Sequence, residues 1–133
     1  MITIIATIKP EHLGNIRSGQ KKWEMRKNAP MTYGLDFRVL CCESGSGGEI
    51  LAEFICDCVV LGKENLEQLV KESCVTMEQA KRYAGDKKLH FWHISKIIDY
   101  CSTKGYKVRN ISEFGLKRPP QSWQYVLEGL YGE

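Results

Sequence analysis

Proline is scarce in this chain, at four residues in 133, so no proline-rich spacer divides it. No apolar run approaches the roughly 20 residues that cross a bilayer as a helix, and no membrane partner is expected. Internal repeats and low-complexity tracts are lacking. The opening "MITIIATIKP" has neither a basic lead nor a small-residue cleavage site, so it reads as a strand rather than a signal peptide. The expectation is a cytoplasmic protein. Neither sign of charge dominates: 19 basic and 16 acidic residues leave +3, too little to mark a nucleic-acid binder by itself. The glycines at 45, 47 and 48 lead into no helical pattern, so "GSGG" is a hairpin turn and not a phosphate loop. No cofactor is expected. The six cysteines include Cys41, Cys42, Cys56 and Cys58, whose spacing matches no zinc finger or ribbon. A chain of this length folds without staples, so the thiols read as small buried apolar groups, and no metal is expected, with a metal site from these four strand cysteines as the alternative that metal analysis settles.

What is present suits one domain spanning 1–133, with 43% hydrophobic and 26% charged residues. The charge is uneven. Residues 1–40 carry seven basic and three acidic groups, residues 41–103 seven and ten, and residues 104–118 five and one. Two basic segments around an acidic middle can merge into one positive face suited to phosphates.

The pattern of elements is mixed. Ile2 to Ile8 is β-branched and reads as a strand. "KPEHLGNIRSG" follows as a short helix, with Pro10 at its first position and Gly19 closing it. "DFRVLCCES" and "EILAEFICDCVVLG" form a hairpin, and strict alternation places Ile50, Ala52, Phe54, Cys56 and Cys58 on one face. Asn65 with Gln68, and Thr76 with Gln79, have capping-box spacing ahead of two helices, the second ended by Gly85. "LHFWHISKIIDY" is a fifth strand, Asn110–Glu113 a single helical turn, and "WQYVLEGLY" a closing strand. Strands on both sides of a helical insert predict a mixed α/β domain, a small barrel or strongly bent sheet with helices at its rim.

One stretch carries chemistry. In "SGQKKWEMRK" (18–27), Trp23 and Met25 alternate with Lys22, Glu24 and Arg26, the pattern of a strand with one apolar and one ionic face. Same-face neighbours lie about 6.8 Å apart, so Glu24 and Arg26 can share a cleft. Lys21 stands at the strand's start, where its side chain reaches the opening.

These residues, Gly19-Gln20-Lys21-Lys22-Trp23-Glu24-Met25-Arg26, read G-x-K-x-x-E-x-R, and the sequence resembles the ASCH domain family of the PUA-like superfamily, in its small stand-alone phage and bacterial type. "IKPEHLGNIRSG", "FWHISKIIDY" and "RPPQSWQYV" extend the likeness over roughly the whole chain. The resemblance implies a PUA-like antiparallel β-barrel with short flanking helices, and binding of RNA or a nucleotide-like ligand. It also implies a second possibility, a small hydrolase: either an amidohydrolase on N4-acylated cytidines, which uses a Lys, a Thr and a Glu, or a ribonuclease. Lys21 matches that lysine, Glu24 stands where those proteins have Thr, and the third residue is open among Glu64, Glu67, Glu72 and Glu78.

For binding, Lys21 offers a point charge, Arg26 a planar fork, and Glu24 an acceptor for an exocyclic amine. Gly19 turns the backbone at the cleft lip, Ser122 reaches in from behind two prolines, and Trp123 or Tyr33 supplies a ring for a base to stack on. If the chain is an enzyme, Lys21 with a lowered pKa acts as base or nucleophile and Glu24 relays the proton. Plainer roles stand beside these: a structural Glu24–Arg26 ion pair, exposed lysines, Trp123 plugging the barrel end, and His12 and His93 as ordinary packed histidines. A third class, a protein-interaction module, would show itself as partner capture independent of nucleic acid.

Overall fold

A computed structural model describes residues 1–127. In chain order its elements are β1 (Ile2–Ile8), α1 (Pro10–Arg17), β2 (Trp23–Arg26), β3 (Phe37–Glu43) and β4 (Glu49–Leu61). Then come α2 (Leu66–Glu72), α3 (Met77–Ala84), β5 (His90–Asp99), β6 (Arg109–Asn110), a 3-10 turn (Ile111–Phe114) and β7 (Trp123–Val126). The closing strand expected over 123–131 is seen for its first four residues; positions 128–131 lie outside the described residues.

The strands form one seven-stranded sheet in the order β2-β5-β4-β3-β1-β7, with β6 against β4. All pairings are antiparallel but one. β1 and β3 run parallel, from Ile2 opposite Phe37 to Ile8 opposite Glu43, which corrects the all-antiparallel barrel. A parallel pair needs a crossover, and α1 with β2 supplies it. The sheet curls into a half-barrel with β2 and β7 at the ends of its path. Side chains bridge that seam: Arg26 of β2 donates to the Thr7 carbonyl on β1 at 3.0 Å and to Ser122 Oγ, just before β7, at 3.0 Å.

Local signals account for most of the helix ends. Pro10 opens α1, where a missing N–H is no loss, and Gly19 at φ +80° makes the left-handed exit that other residues resist. Thr76 and Gln79 form the expected capping box. Asn65 does not: its side chain makes no cap bond, and Gln68 donates instead to Glu72 Oε2 at 2.8 Å.

The sheet is covered on both faces. Inside the curl, Ile4, Ala6, Ile8, Phe37, Val39, Phe54 and Trp92 pack on Leu13 and Ile16 of α1. Outside, Ile5, Leu40 and Ile50 pack under Tyr100, Ile111 and Phe114, and Phe91 packs under Leu69, Val70 and Ala80 of α2 and α3. This explains why Thr3, Ile4, Ile5 and Ala6 are buried in succession along β1 instead of alternating. It also corrects the alternation in β4. A bulge between Cys41 and Cys42 of β3 and the residues they face in β4 sends Ile50 to the outer face, and a second irregularity, between Cys56 and Val59, leaves Cys58 exposed. A bulge adds a residue and shifts the period by one, which residue types alone do not announce.

Candidate functional site

The face of β2 that looks ionic in the sequence points into the half-barrel. Lys21, Glu24 and Arg26 are 3%, 5% and 7% exposed, while Trp23 and Met25 lean outward on the α2–α3 cluster. Glu24 is the hinge of the group. Its Oε2 accepts from Arg26 Nε at 2.8 Å and lies 2.7 Å from Nη2, and its Oε1 lies 3.7 Å from Lys21 Nζ. Lys21 Nζ also donates to the Ser73 carbonyl at the end of α2. The lysine therefore does not swing over an opening: it is pinned beneath α2, and its backbone N–H donates to the Asn15 carbonyl at 3.0 Å.

Arg26 is fully engaged. Besides Glu24 and Thr7, its Nη1 donates to Ser122 Oγ and, at 3.4 Å, to the Ser122 carbonyl. Of the five N–H donors of a guanidinium, four make hydrogen bonds to protein acceptors here, and Nη2 also lies against Glu24 Oε2 as an ion pair. A buried ion pair stripped of one partner typically costs about 3–5 kcal/mol, so this triad holds the barrel seam whatever else it does.

A cavity of about 770 Å³ opens beside the triad, lined in part by Lys21, Glu24, Arg26, Gln121 and Ser122. The size suits a small ligand. Four further basic side chains reach it: Lys9, Lys27, Arg82 and His12. Glu24 is the one carboxylate among the described lining residues. Burial pushes the Lys21 ammonium's pKa down, and Glu24 pulls it part of the way back. Burial and then Lys21 push the His12 imidazole down, against Glu24; His12 Nδ1 is buried with no hydrogen-bond partner among the described residues. The rings lining the cavity are His12 and Tyr83, and Lys27 Nζ lies 4.7 Å from the Tyr83 ring centre.

The predicted residues thus separate. Lys21, Glu24, Arg26 and Ser122 converge on the cavity. Gly19 makes the turn that leads to them. Trp123 is half-buried against the inner core, edge-on to Trp92, with Nε1 donating to Asn28 Oδ1 at 2.9 Å. Tyr33 is 87% exposed at φ +55°. The residues that sequence reasoning missed as lining are Lys9, His12, Lys27, Arg82 and Tyr83. For Lys27 a signal existed, next to the motif; for Arg82 and Tyr83 only the docking of α3 places them there. None of Glu64, Glu67, Glu72 and Glu78 lines this cavity. Glu72 instead accepts from Trp23 Nε1 at 3.0 Å on the outer face, and Glu78 pairs with Arg82 at 2.8 Å.

With this geometry in hand, the comparison with solved structures is decisive for architecture. The crystal structure of ASCH from Zymomonas mobilis matches at TM-score 0.74 over 96% of this chain and 89% of that one, at 18% identity. The chain has the ASCH fold. Two single-substitution mutants of that protein match at TM-score 0.70, with 16% and 18% identity, over 95% of this chain and 89% and 91% of theirs. No protein-family model and no curated protein matches the chain. At 16–18% identity the likeness shows the fold alone, so the site is read from this chain's own side chains.

Proposed function

We propose that the chain binds RNA or a nucleotide-like ligand in the cavity beside β2. The observation that carries this reading is the charge of the lining: Lys9, Lys21, Arg26, Lys27 and Arg82 against the single carboxylate of Glu24. A concave, cationic, partly desolvated surface attracts phosphates far more strongly than scattered surface lysines do. Because Arg26 is held by the protein, the phosphate-facing groups are Lys9, Lys27 and Arg82, the last released from an exposed pair with Glu78 at small cost. Glu24 Oε1 is the acceptor for a base amine, and Tyr83 the ring on which a base stacks. The ASCH fold, with the RNA binding that the family resemblance implies, supports the same reading.

The test is fluorescence anisotropy of a labelled single-stranded RNA titrated with the protein over a range of salt. The expected result is binding that weakens linearly in log–log form, with a slope of about −0.7 for each phosphate neutralised. Replacing Lys9, Lys27 and Arg82 together by glutamine should flatten that slope. Salt-independent binding, or none at low salt, overturns the proposal.

One observation favours a second reading, a hydrolase on nucleosides or RNA. Lys21, with its pKa pushed down, and the unpartnered His12 Nδ1 belong to the same cavity, as general acid–base chemistry requires. Incubation with N4-acetylcytidine and with short RNA, read by mass spectrometry, tests it. Turnover lost in Lys21→Met and His12→Gln variants that still fold supports the hydrolase; no product from either substrate excludes both forms.

A further inference from the structure

The irregular stretch of β4 does more than expose Cys58. β4 and β5 pair Cys56 with Ile94 and Val59 with Trp92. Two residues of β4, Asp57 and Cys58, therefore stand opposite one residue of β5, His93. A bulge of this kind sets two residues against one through a single extra residue. Asp57 Oδ1 lies 2.6 Å from His93 Nδ1, and the ligand atoms of Asp57, Cys58 and His93 all lie within 4.8 Å of one another. His93 is braced from its other side, since it pairs with Trp23 of β2 and their rings meet edge-on at 4.9 Å. The shared face with Trp23 puts this cluster outside the barrel, away from the Glu24 cavity.

We propose that Asp57, Cys58 and His93 form a binding site for a divalent transition metal of the zinc class. Carboxylate, thiolate and imidazole together are the donors such ions take, and the sulfur and nitrogen select against magnesium and calcium. Donor atoms around a tetrahedral zinc stand roughly 3.3–3.8 Å apart, from bond lengths of about 2.0–2.3 Å, so small side-chain rotations complete the site. Charge balances: one carboxylate and one thiolate neutralise a dication, with the imidazole neutral. On binding, the Cys58 thiol releases its proton to solvent. The hydrogen between His93 Nδ1 and Asp57 moves by exchange with solvent to Nε2, which frees Nδ1 for the metal and leaves the imidazole neutral. The local field also suits a cation. Asp57 and Asp36 both place negative charge beside Cys58. Asp57 and Cys58 are exposed and His93 half-buried, so solvent fills the fourth position, the arrangement of a site that keeps an open coordination place.

Cobalt(II) titrated into the reduced full chain tests this. The expected result is a thiolate-to-cobalt absorption band saturating at one equivalent, displaced by zinc and unaffected by excess magnesium. Cys58→Ser should abolish the band, and Asp57→Asn and His93→Gln should each weaken binding by more than about tenfold, the scale on which even outer ligand partners act. Cys74→Ser and Cys101→Ser should keep it. No band in the unaltered chain, or a band that survives Cys58→Ser, overturns the proposal. If Cys58→Ser fails to fold by circular dichroism, the Asp57→Asn and His93→Gln affinities decide, and unchanged values in both overturn it.

Discussion

Two polar clusters sit back to back on neighbouring strands of this sheet. On the inner face, Lys21, Glu24 and Arg26 are almost wholly buried and use one another, Thr7, Ser73 and Ser122 as partners. On the outer face, Asp57, Cys58 and His93 are exposed or half-exposed, joined by one short contact between His93 and Asp57. Both are groups of ionisable side chains within a few ångströms. Water makes the difference. In the inner cluster each charge depends on its partners, because solvent cannot replace them. In the outer cluster solvent reaches the members, so the His93–Asp57 contact can be exchanged for another partner at little expense to the fold.

The sharpest way to break this contrast is to remove one group from each side. Glu24→Gln should lower unfolding free energy by about 3–5 kcal/mol, because it leaves Lys21 and Arg26 buried without their counter-charge. Urea denaturation measures this, and a loss below about 1 kcal/mol would mean that the inner triad is no better shielded than a surface pair. Next in size, zinc at a hundredfold excess over its dissociation constant should stabilise the chain by about 2.7 kcal/mol. The Asp57→Asn variant at the same zinc concentration should lose at least about half of that gain, as thermal melts with and without metal would show.

A pH series separates interior from surface by another route. Burial pushes the Cys42 thiol up to about 11 and the Cys56 thiol up to about 12, from an ordinary 9.0. Their folded-state pKa values are raised, so the folded chain holds more protons than the unfolded one in that window. Their contribution is fully present below about pH 9 and is lost as pH rises toward 11 and 12. Denaturation midpoints should fall through that range, and Cys56→Ala should fall less steeply than the unaltered chain. The smallest effect belongs to the outer cluster without metal. The Asp57–His93 pair has side chains 44% and 35% exposed, so Asp57→Asn alone should shift stability by about 1 kcal/mol or less, within reach of chemical denaturation.

How much was legible follows from which forces are local. The helix starts at Pro10 and Thr76, the left-handed exit at Gly19 and the β3–β4 hairpin were readable because each depends on a few adjacent residues. So was the shared face of Glu24 and Arg26, once the strand period was seen, whereas Lys21 joins them from outside that period, ahead of β2. The cap at Asn65 failed because Glu72 offered Gln68 a better partner. The sequence offers Trp123 or Tyr33 as the ring at the cleft, yet Tyr83 lines the cavity, since α3 and its docking decide which ring arrives.

The sequence by itself determined the elements, their periods and the presence of an ionic stripe on β2, because backbone preferences and side-chain alternation act over short separations. Tertiary structure alone decided that this stripe faces inward, that Arg26 closes the seam between β2 and the β1–β7 edge, and that Asp57 and Cys58 meet His93. Those outcomes arise from sheet curl and from a bulge, which sum small twists and one extra residue over strands far apart in the chain.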